Sequence, residues 1–206
     1  MSDGVEVNFN SNEGWSRLPG KTGCVLLTFD DGPGRQTADI VSILNHYDVK
    51  GLFFWQGHLL HHKRPFQNLL QSGHEIGTHA HQHVDLTRLK PEHVRYQLFT
   101  GKRELERLTG QKISYFRPPY GKINTTVRTV ASELELTTVL WNISSYDWDP
   151  HMTAETIVER AANAGTNSIV LLHERKVTVQ ALPRLIESLR ANGRHLLSRS
   201  DRLPFS

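Results

Sequence analysis

Three histidines stand at alternate positions in Gly77-Thr78-His79-Ala80-His81-Gln82-His83. His79 and His83 share a face if a helical turn follows, and all three share a side if the segment stays extended. Either arrangement could grip a metal ion, but two imidazoles are too few for tight zinc binding, so a carboxylate should complete the set. Asp30 and Asp31, adjacent at the end of an apolar run, are the candidates. Neighbouring carboxylates repel and need partners; one can ligate while the other takes a proton from an activated water. A solvated histidine-rich turn and a surface Asp-Asp-Gly-Pro turn are the plain alternatives. His173 follows Ile169-Val170-Leu171-Leu172, where an imidazole with a pKa near neutrality suits general acid work. A core-edge histidine with a backbone partner is the other reading. His46, His58, His61, His62, His93, His151 and His195 have no comparable company and read as structural or solvated.

Positioning these groups requires strands that end where they stand. Cys24 to Phe29 reads as a buried strand stopped by Asp30-Asp31-Gly32-Pro33, and helical spacing of Ile40, Val41, Leu44 and Tyr47 follows. Further strands are expected at Lys50 to Trp55, His74 to Gly77, Ser114 to Phe116, Leu136 to Ile143, Ser168 to Leu172 and Arg194 to Leu197. Helices are expected near Pro65 to Gln71, from Pro91 to Leu108 with Gly110 as its stop, and over Thr125 to Leu134, Thr153 to Ala162 and Ala181 to Ala191. About seven strands alternating with helices imply α/β architecture with a parallel sheet. Polar clusters at Asp30/Asp31, His79/His83, Arg117, Asp147/Trp148 and His173 all fall at strand ends, which favours a barrel over an open sheet.

At 206 residues, with 37% hydrophobic and 22% charged residues, the chain is one domain with a sizeable core. A polar segment, 1–21, precedes the domain, 22–206, and reads as a loose leader or a covering segment. The balance of 24 basic against 21 acidic residues is too even to imply nucleic acid, and no recognition motif accompanies the basic residues between Lys102 and Arg128. Cys24, the single cysteine, excludes an intrachain disulfide and reads as a buried, inert thiol. With no leader-like start and no apolar run of about 18 residues, neither a signal peptide nor a transmembrane segment is expected. The compartment stays open: secreted or envelope-associated for a trimmed form, cytoplasmic for a complete one. A monomer is the expected state.

Taken together, the segments resemble the polysaccharide deacetylase family, the NodB-like carbohydrate esterases of family 4, over Lys21 to Arg199. Thr28-Phe29-Asp30-Asp31-Gly32-Pro33 and Arg117-Pro118-Pro119-Tyr120-Gly121 match two family motifs in full; His79 and His83, Asp147-Trp148 and Leu171-Leu172-His173 match three more in order. The resemblance implies a distorted (β/α) barrel and a divalent cofactor, zinc first with cobalt, nickel or manganese as alternatives. It implies Asp31, His79 and His83 as metal ligands, Asp30 as base and His173 as acid. Arg117 would pair with Asp30, Asp147 would orient His173, the backbone N–H of Tyr120 would stabilise the oxyanion, and Tyr120, Trp148 and Leu171 would meet the substrate. The implied reaction is hydrolysis of N-acetyl groups on N-acetylglucosamine-containing oligosaccharides or cell-wall polysaccharides, chitin oligomers or peptidoglycan. An O-acetyl esterase acting on xylan shares the machinery, and a sugar-binding protein with decayed chemistry or a purely structural metalloprotein are readings of a different class.

The chain departs from the family pattern near the site. Ala80 stands where a Ser or Thr hydroxyl usually fixes the histidine loop, Val84 replaces a proline, Glu174 an aspartate and Ser144 an acidic residue, while His81 is an extra imidazole expected to be solvated. Trp55, inside a strand pattern, reads as core.

Overall fold

The computed structural model describes residues 14–19, 23–60 and 66–205. Most of the polar leader, together with His61, His62 and Pro65, lies outside the described residues. Chain order runs β1 (Cys24–Gly32), α1 (Thr37–His46), β2 (Gly51–Trp55), α2 (Phe66–Gln71), β3 (Glu75–Thr78), α3 (Pro91–Thr109), β4 (Tyr115–Phe116) and α4 (Thr125–Glu133). It continues with β5 (Thr137–Thr138), β6 (Ile143–Ser144), α5 (Ala154–Ala161), β7 (Ile169–His173), α6 (Lys176–Ala191) and β8 (His195–Leu196).

The strands pair in parallel in the order β5-β4-β3-β2-β1-β7-β6, with β8 against the start of β1. Alternation along each strand sorts side chains between two cores. Leu26, Leu52, Phe54 and Ile169 point to the inside of the curled sheet, where Leu18, Val139, Leu197, Leu203 and Phe205 join them. Leu27, Phe29, Phe53, Trp55, Val170 and Leu172 point outward, against the buried faces of α1, α3, α5 and α6. The sheet is thus a distorted (β/α) barrel, as expected, and Trp55 is a core residue.

Two expectations change. Leu136 to Ile143 is not one strand: β5 and β6 lie at opposite ends of the sheet, and residues 139–142 cross the gap between them. The crossing is held by Leu140 N–H donating to Trp15 O at 2.7 Å and Asn142 N–H to Ile169 O at 3.2 Å. An apolar run carries no information about which neighbour pairs each end, so periodicity merges the two pieces. Helix α6 starts at Lys176, five residues before Ala181, because Thr178 continues its buried face. The polar side chain of Thr178 and the interior Pro183 mask that start in the sequence.

Near the N-terminus, Trp15 bridges Val139 and Arg17 bridges Ser168, so residues 15–17 lie across the same gap. Basic residues between Lys102 and Lys122 are mostly engaged: Lys102 with Glu106, Arg107 with Glu104, Lys112 with Glu135 and Lys122 with Asp85. Cys24 is half-buried, and burial pushes its thiol pKa up, as an inert thiol requires. Among the described residues, no helix is long and apolar enough to cross a membrane.

Candidate active site

Strand register builds the site from β1 outward. Leu26, Thr28 and Asp30 share the inner face, and Asp30 lies opposite His173 of β7. A regular strand would send Asp31 to the opposite face. Instead the register shifts between Asp30 and Gly32, with Asp31 at φ 68, and this bulge turns both carboxylates into one cavity. Aspartate tolerates this left-handed conformation better than most residues. Gly32 is obligatory, since a Cβ there would lie 1.9 Å from Glu174 Oε1 and 2.4 Å from the Trp55 indole. Glu174 in turn accepts from Trp55 Nε1 at 2.7 Å, from Gly34 N–H at 2.8 Å and from the Thr37 hydroxyl, so this departure from aspartate braces the loop after the bulge.

Asp30 is buried, and its Oδ1 accepts from Arg117 Nη1 at 2.9 Å. Arg117 is fully buried, with Nη1 also donating to Thr28 Oγ1 at 2.7 Å, Nε to Val139 O at 3.0 Å and Nη2 to Leu140 O at 2.7 Å. Its guanidinium lies over the Phe54 ring at 4.3 Å. Burial lowers the pKa of Arg117 and the adjacent Asp30 charge opposes that shift. A guanidinium's ordinary pKa is high enough that it stays charged.

The second motif is neither a helical turn nor an extended strand. Ala80, fully buried at φ 66, reverses the chain after His79, so that only His79 and His83 face Asp31. His79 Nδ1 lies 2.7 Å from Arg117 O and therefore carries the proton, leaving Nε2 as the free lone pair. Burial lowers the pKa of His79, which keeps the imidazole neutral as a ligand must be. Its Nε2 is 3.8 Å from Asp31 Oδ1, and His83 Nε2 is 3.6 Å from the same oxygen. Tetrahedral ligands about 2.1 Å from a common centre lie roughly 3.4 Å apart, so these three donors fit a divalent cation. Gln56 Nε2 donates to Asp31 Oδ1 at 3.0 Å and helps aim the carboxylate.

His81, expected to be solvated, is half-buried. The reversal at Ala80 turns it away from the cation site, against the rings of His58 and Tyr96 at 6.1 and 6.0 Å, and its Nδ1 is buried without a hydrogen-bond partner. The Ser144 hydroxyl is likewise buried and unpartnered.

Across the cavity, Asp147 is buried and grips His173 twice: Oδ2 accepts from the His173 N–H and Oδ1 from its Nδ1, each at 2.7 Å. Thr178 at the start of α6 adds a third bond to Oδ2, at 2.6 Å. Burial pulls the His173 pKa down, but the hydrogen bond and charge of Asp147, with Asp30 and Asp31 behind, more than offset it and the pKa is raised. With Nδ1 committed to a carboxylate, Nε2 is the nitrogen available for proton exchange.

The cavity between these groups measures about 390 Å³ and is walled by Tyr120, Trp141, Trp148, Leu171 and Arg175 as well. Tyr120 stands at φ 60 with its ring exposed and 4.4 Å from His83. The Trp148 and His173 rings meet at a steep angle with centroids 5.3 Å apart, and Trp148 is backed by the Tyr146 ring at 4.9 Å, itself covered by Arg160. Asp30, Asp31, His79, His83, Tyr120, Trp148, Leu171 and His173 therefore line one cavity, with Arg117 and Asp147 buried behind Asp30 and His173. Thr28, Gln56, Trp141, Tyr146, Arg175 and Thr178 were not foreseen; only Thr28, two residues before Asp30 on the same strand face, carried a readable signal.

The fold is a parallel α/β barrel that brings two histidines and one carboxylate together at its strand ends, a donor set that could hold a cation. The sequence profile described as polysaccharide deacetylase matches residues 17–139, and the chain belongs to that family. It is 32% identical over 200 residues to a peptidoglycan-N-acetylglucosamine deacetylase of Bacillus cereus, covering 91% of this chain and 92% of that protein. It is 29% identical over 196 residues to the bifunctional xylanase/deacetylase of Pseudobutyrivibrio xylanivorans, covering 92% of this chain but only 32% of that protein. Among solved structures, a family 4 pseudoenzyme from Bacillus anthracis superimposes with a TM-score of 0.75 at 26% identity, covering 85% of this chain and 64% of that one. The fold therefore accommodates both active and inactive relatives, and activity depends on the side chains it carries. Family membership brings metal dependence with it, and Asp31, His79 and His83 form the one cluster among the described residues with matching donors.

Proposed function

We propose that this chain hydrolyses N-acetyl groups on N-acetylglucosamine-containing oligosaccharides or cell-wall polysaccharides, releasing acetate. The observation that carries the reading is the convergence of a buried, arginine-paired carboxylate, a cation-ligand triad and an aspartate-anchored imidazole on one cavity. A bound divalent cation, zinc first, with cobalt, nickel or manganese as alternatives, would polarise the acetyl carbonyl and acidify water. Asp31, His79 and His83 would hold it. Asp30, paired with the Arg117 guanidinium, takes the proton of the attacking water. The Tyr120 N–H donates to the developing oxyanion. His173 delivers a proton from Nε2 to the departing amine, while Asp147 stabilises the imidazolium and fixes the ring. Trp148 and Leu171 wall the acetyl group and exclude water from it.

Incubating the zinc-loaded protein with N-acetylglucosamine oligomers and with peptidoglycan fragments should release acetate. A cation-occupied protein that releases none from either overturns the proposal. The likeness to a protein named as a xylanase/deacetylase favours O-acetyl xylan as the second substrate to test. Release from acetylated xylan alone would replace the first reading with an esterase.

The raised pKa of His173 makes a pH prediction. The protonated acid is present below that pKa and is lost as pH rises through it, so His173 sets the alkaline limb of kcat. Asp147→Asn removes the hydrogen bond and charge that raise the pKa most, leaving only the weaker pull of Asp30 and Asp31 against the burial that lowers it. Its alkaline limb should move to lower pH, with kcat at neutrality reduced about 10- to 100-fold. The cation acts on both proteins alike, so the sign of the difference stands. An unchanged limb in a pH–rate profile would remove Asp147 from this role.

A further inference from the structure

Ala80 leaves the histidine loop without a hydroxyl of its own, yet both peptide N–H groups that follow it are bonded to a single residue of α3. Gln97 O accepts from His81 N–H at 2.9 Å, and Gln97 Oε1 accepts from Gln82 N–H at 2.8 Å. Gln97 Nε2 also lies 3.5 Å from Gln82 Oε1, and the Gln97 side chain is buried. One turn further along the same helix face, Gly101 lets the loop come close. A Cβ there would lie 2.7 Å from the Ala80 carbonyl carbon, 2.7 Å from Thr78 Oγ1 and 2.8 Å from Ala80 O. Glycine inside a helix costs about 1 kcal/mol relative to alanine, so close approach is the compensating gain. On the other flank, Gly57 N–H donates to Ala80 O and His58 N–H to His81 O, each at 3.0 Å.

The two cation-facing imidazoles differ in what fixes them. His79 has its own anchors, Nδ1 on Arg117 O and N–H to Trp55 O at 2.8 Å. The His83 side chain is 29% exposed and meets the rings of His79 and Tyr120, so its place depends on the backbone that leads to it.

We infer that Gln97 is a positioning residue for the cation site. It fixes the loop from helix α3, with Gly101 as the seat, and so sets His83 Nε2 at ligand distance from Asp31. This rests on the reading of Asp31, His79 and His83 as the cation ligands. A hydroxyl at position 80 would act from inside the loop; Gln97 acts from outside.

Calorimetric titration of zinc into the metal-stripped full chain tests it, with melting of each metal-free form measured in parallel. Gln97→Leu keeps the bulk but removes the acceptor for Gln82 N–H, and zinc should bind about 10- to 100-fold more weakly. Gln97→Glu keeps an acceptor at the same reach and should recover most of that affinity. Gly101→Ala, which leaves Gln97 in place and pushes the seat outward, should weaken zinc in the same direction and serves if Gln97→Leu does not fold. Wild-type affinity in a folded Gln97→Leu, or in Gly101→Ala where that is the folded variant, overturns the inference even if melting falls, because a merely structural role moves only the melting. Failure of the underlying reading looks different: the wild-type chain then binds no zinc, or His83→Ala binds it as well as wild type.

Discussion

Asp30→Asn is expected to lower the rate of acetate release by about 10²- to 10⁴-fold, the usual contribution of a positioned general base. Asparagine keeps the volume and can still accept from Arg117, but cannot take a proton. Asp30 is not among the three residues whose donors cluster as cation ligands, so zinc and sugar binding should persist in the variant. The substitution also leaves the buried guanidinium of Arg117 without its counter-charge, and breaking a buried pair from one side costs about 3–5 kcal/mol. Melting should therefore fall along with activity, and the rate has to be read well below the variant's transition. Folded Asp30→Asn that turns over within about tenfold of wild type would remove Asp30 from the role of base. Sugar binding with turnover lost, by contrast, separates a true catalyst from a sugar-binding relative whose chemistry has decayed.

Removing the cation should have an effect of similar or greater size. Stripping with a chelator is expected to cut turnover by about three orders of magnitude or more, because several kcal/mol of charge stabilisation disappear and ~1.4 kcal/mol is a factor of ten. Added zinc should restore the rate. His83→Ala should not be restored at the same zinc concentration, since two donors remain where three converge. Full activity in rigorously metal-free protein would contradict the proposed role of Asp31, His79 and His83 together.

Much of this site was readable because its residues fall at strand ends, where parallel strands bring side chains of distant sequence positions together. Asp30 and His173 are 143 positions apart yet adjacent in register across β1 and β7. The apolar runs before them indicated that each stands at a strand end, while the pairing of the two strands came only from the structure. The shape of the histidine loop was not readable, because an i, i+4 pair is compatible with several backbones and the deciding feature is the left-handed conformation of Ala80. Periodicity has no term for a single reversed residue, so the turn that sends His81 away from His79 and His83, toward Tyr96, could not be read. The bulge at Asp31 escaped for the same reason, although the adjacent aspartates hinted that one of them must leave the regular alternation. Residues 136–143 were misjudged because pairing partners, which decide where a strand ends, are not local.

Arg117 reaches further than the carboxylate it pairs with. Its Nε and Nη2 bond to the Val139 and Leu140 carbonyls in the segment that crosses from one edge of the sheet to the other, while Nη1 holds Thr28 and Asp30 on the central strand. One guanidinium thus clasps the seam of the barrel and aims Asp30. A library randomised at position 117 would be depleted by a screen for soluble protein as severely as by a screen for turnover. The arginine would also be retained in a descendant that had given up hydrolysis, so its presence in a sequence testifies to an intact barrel before it testifies to a working enzyme.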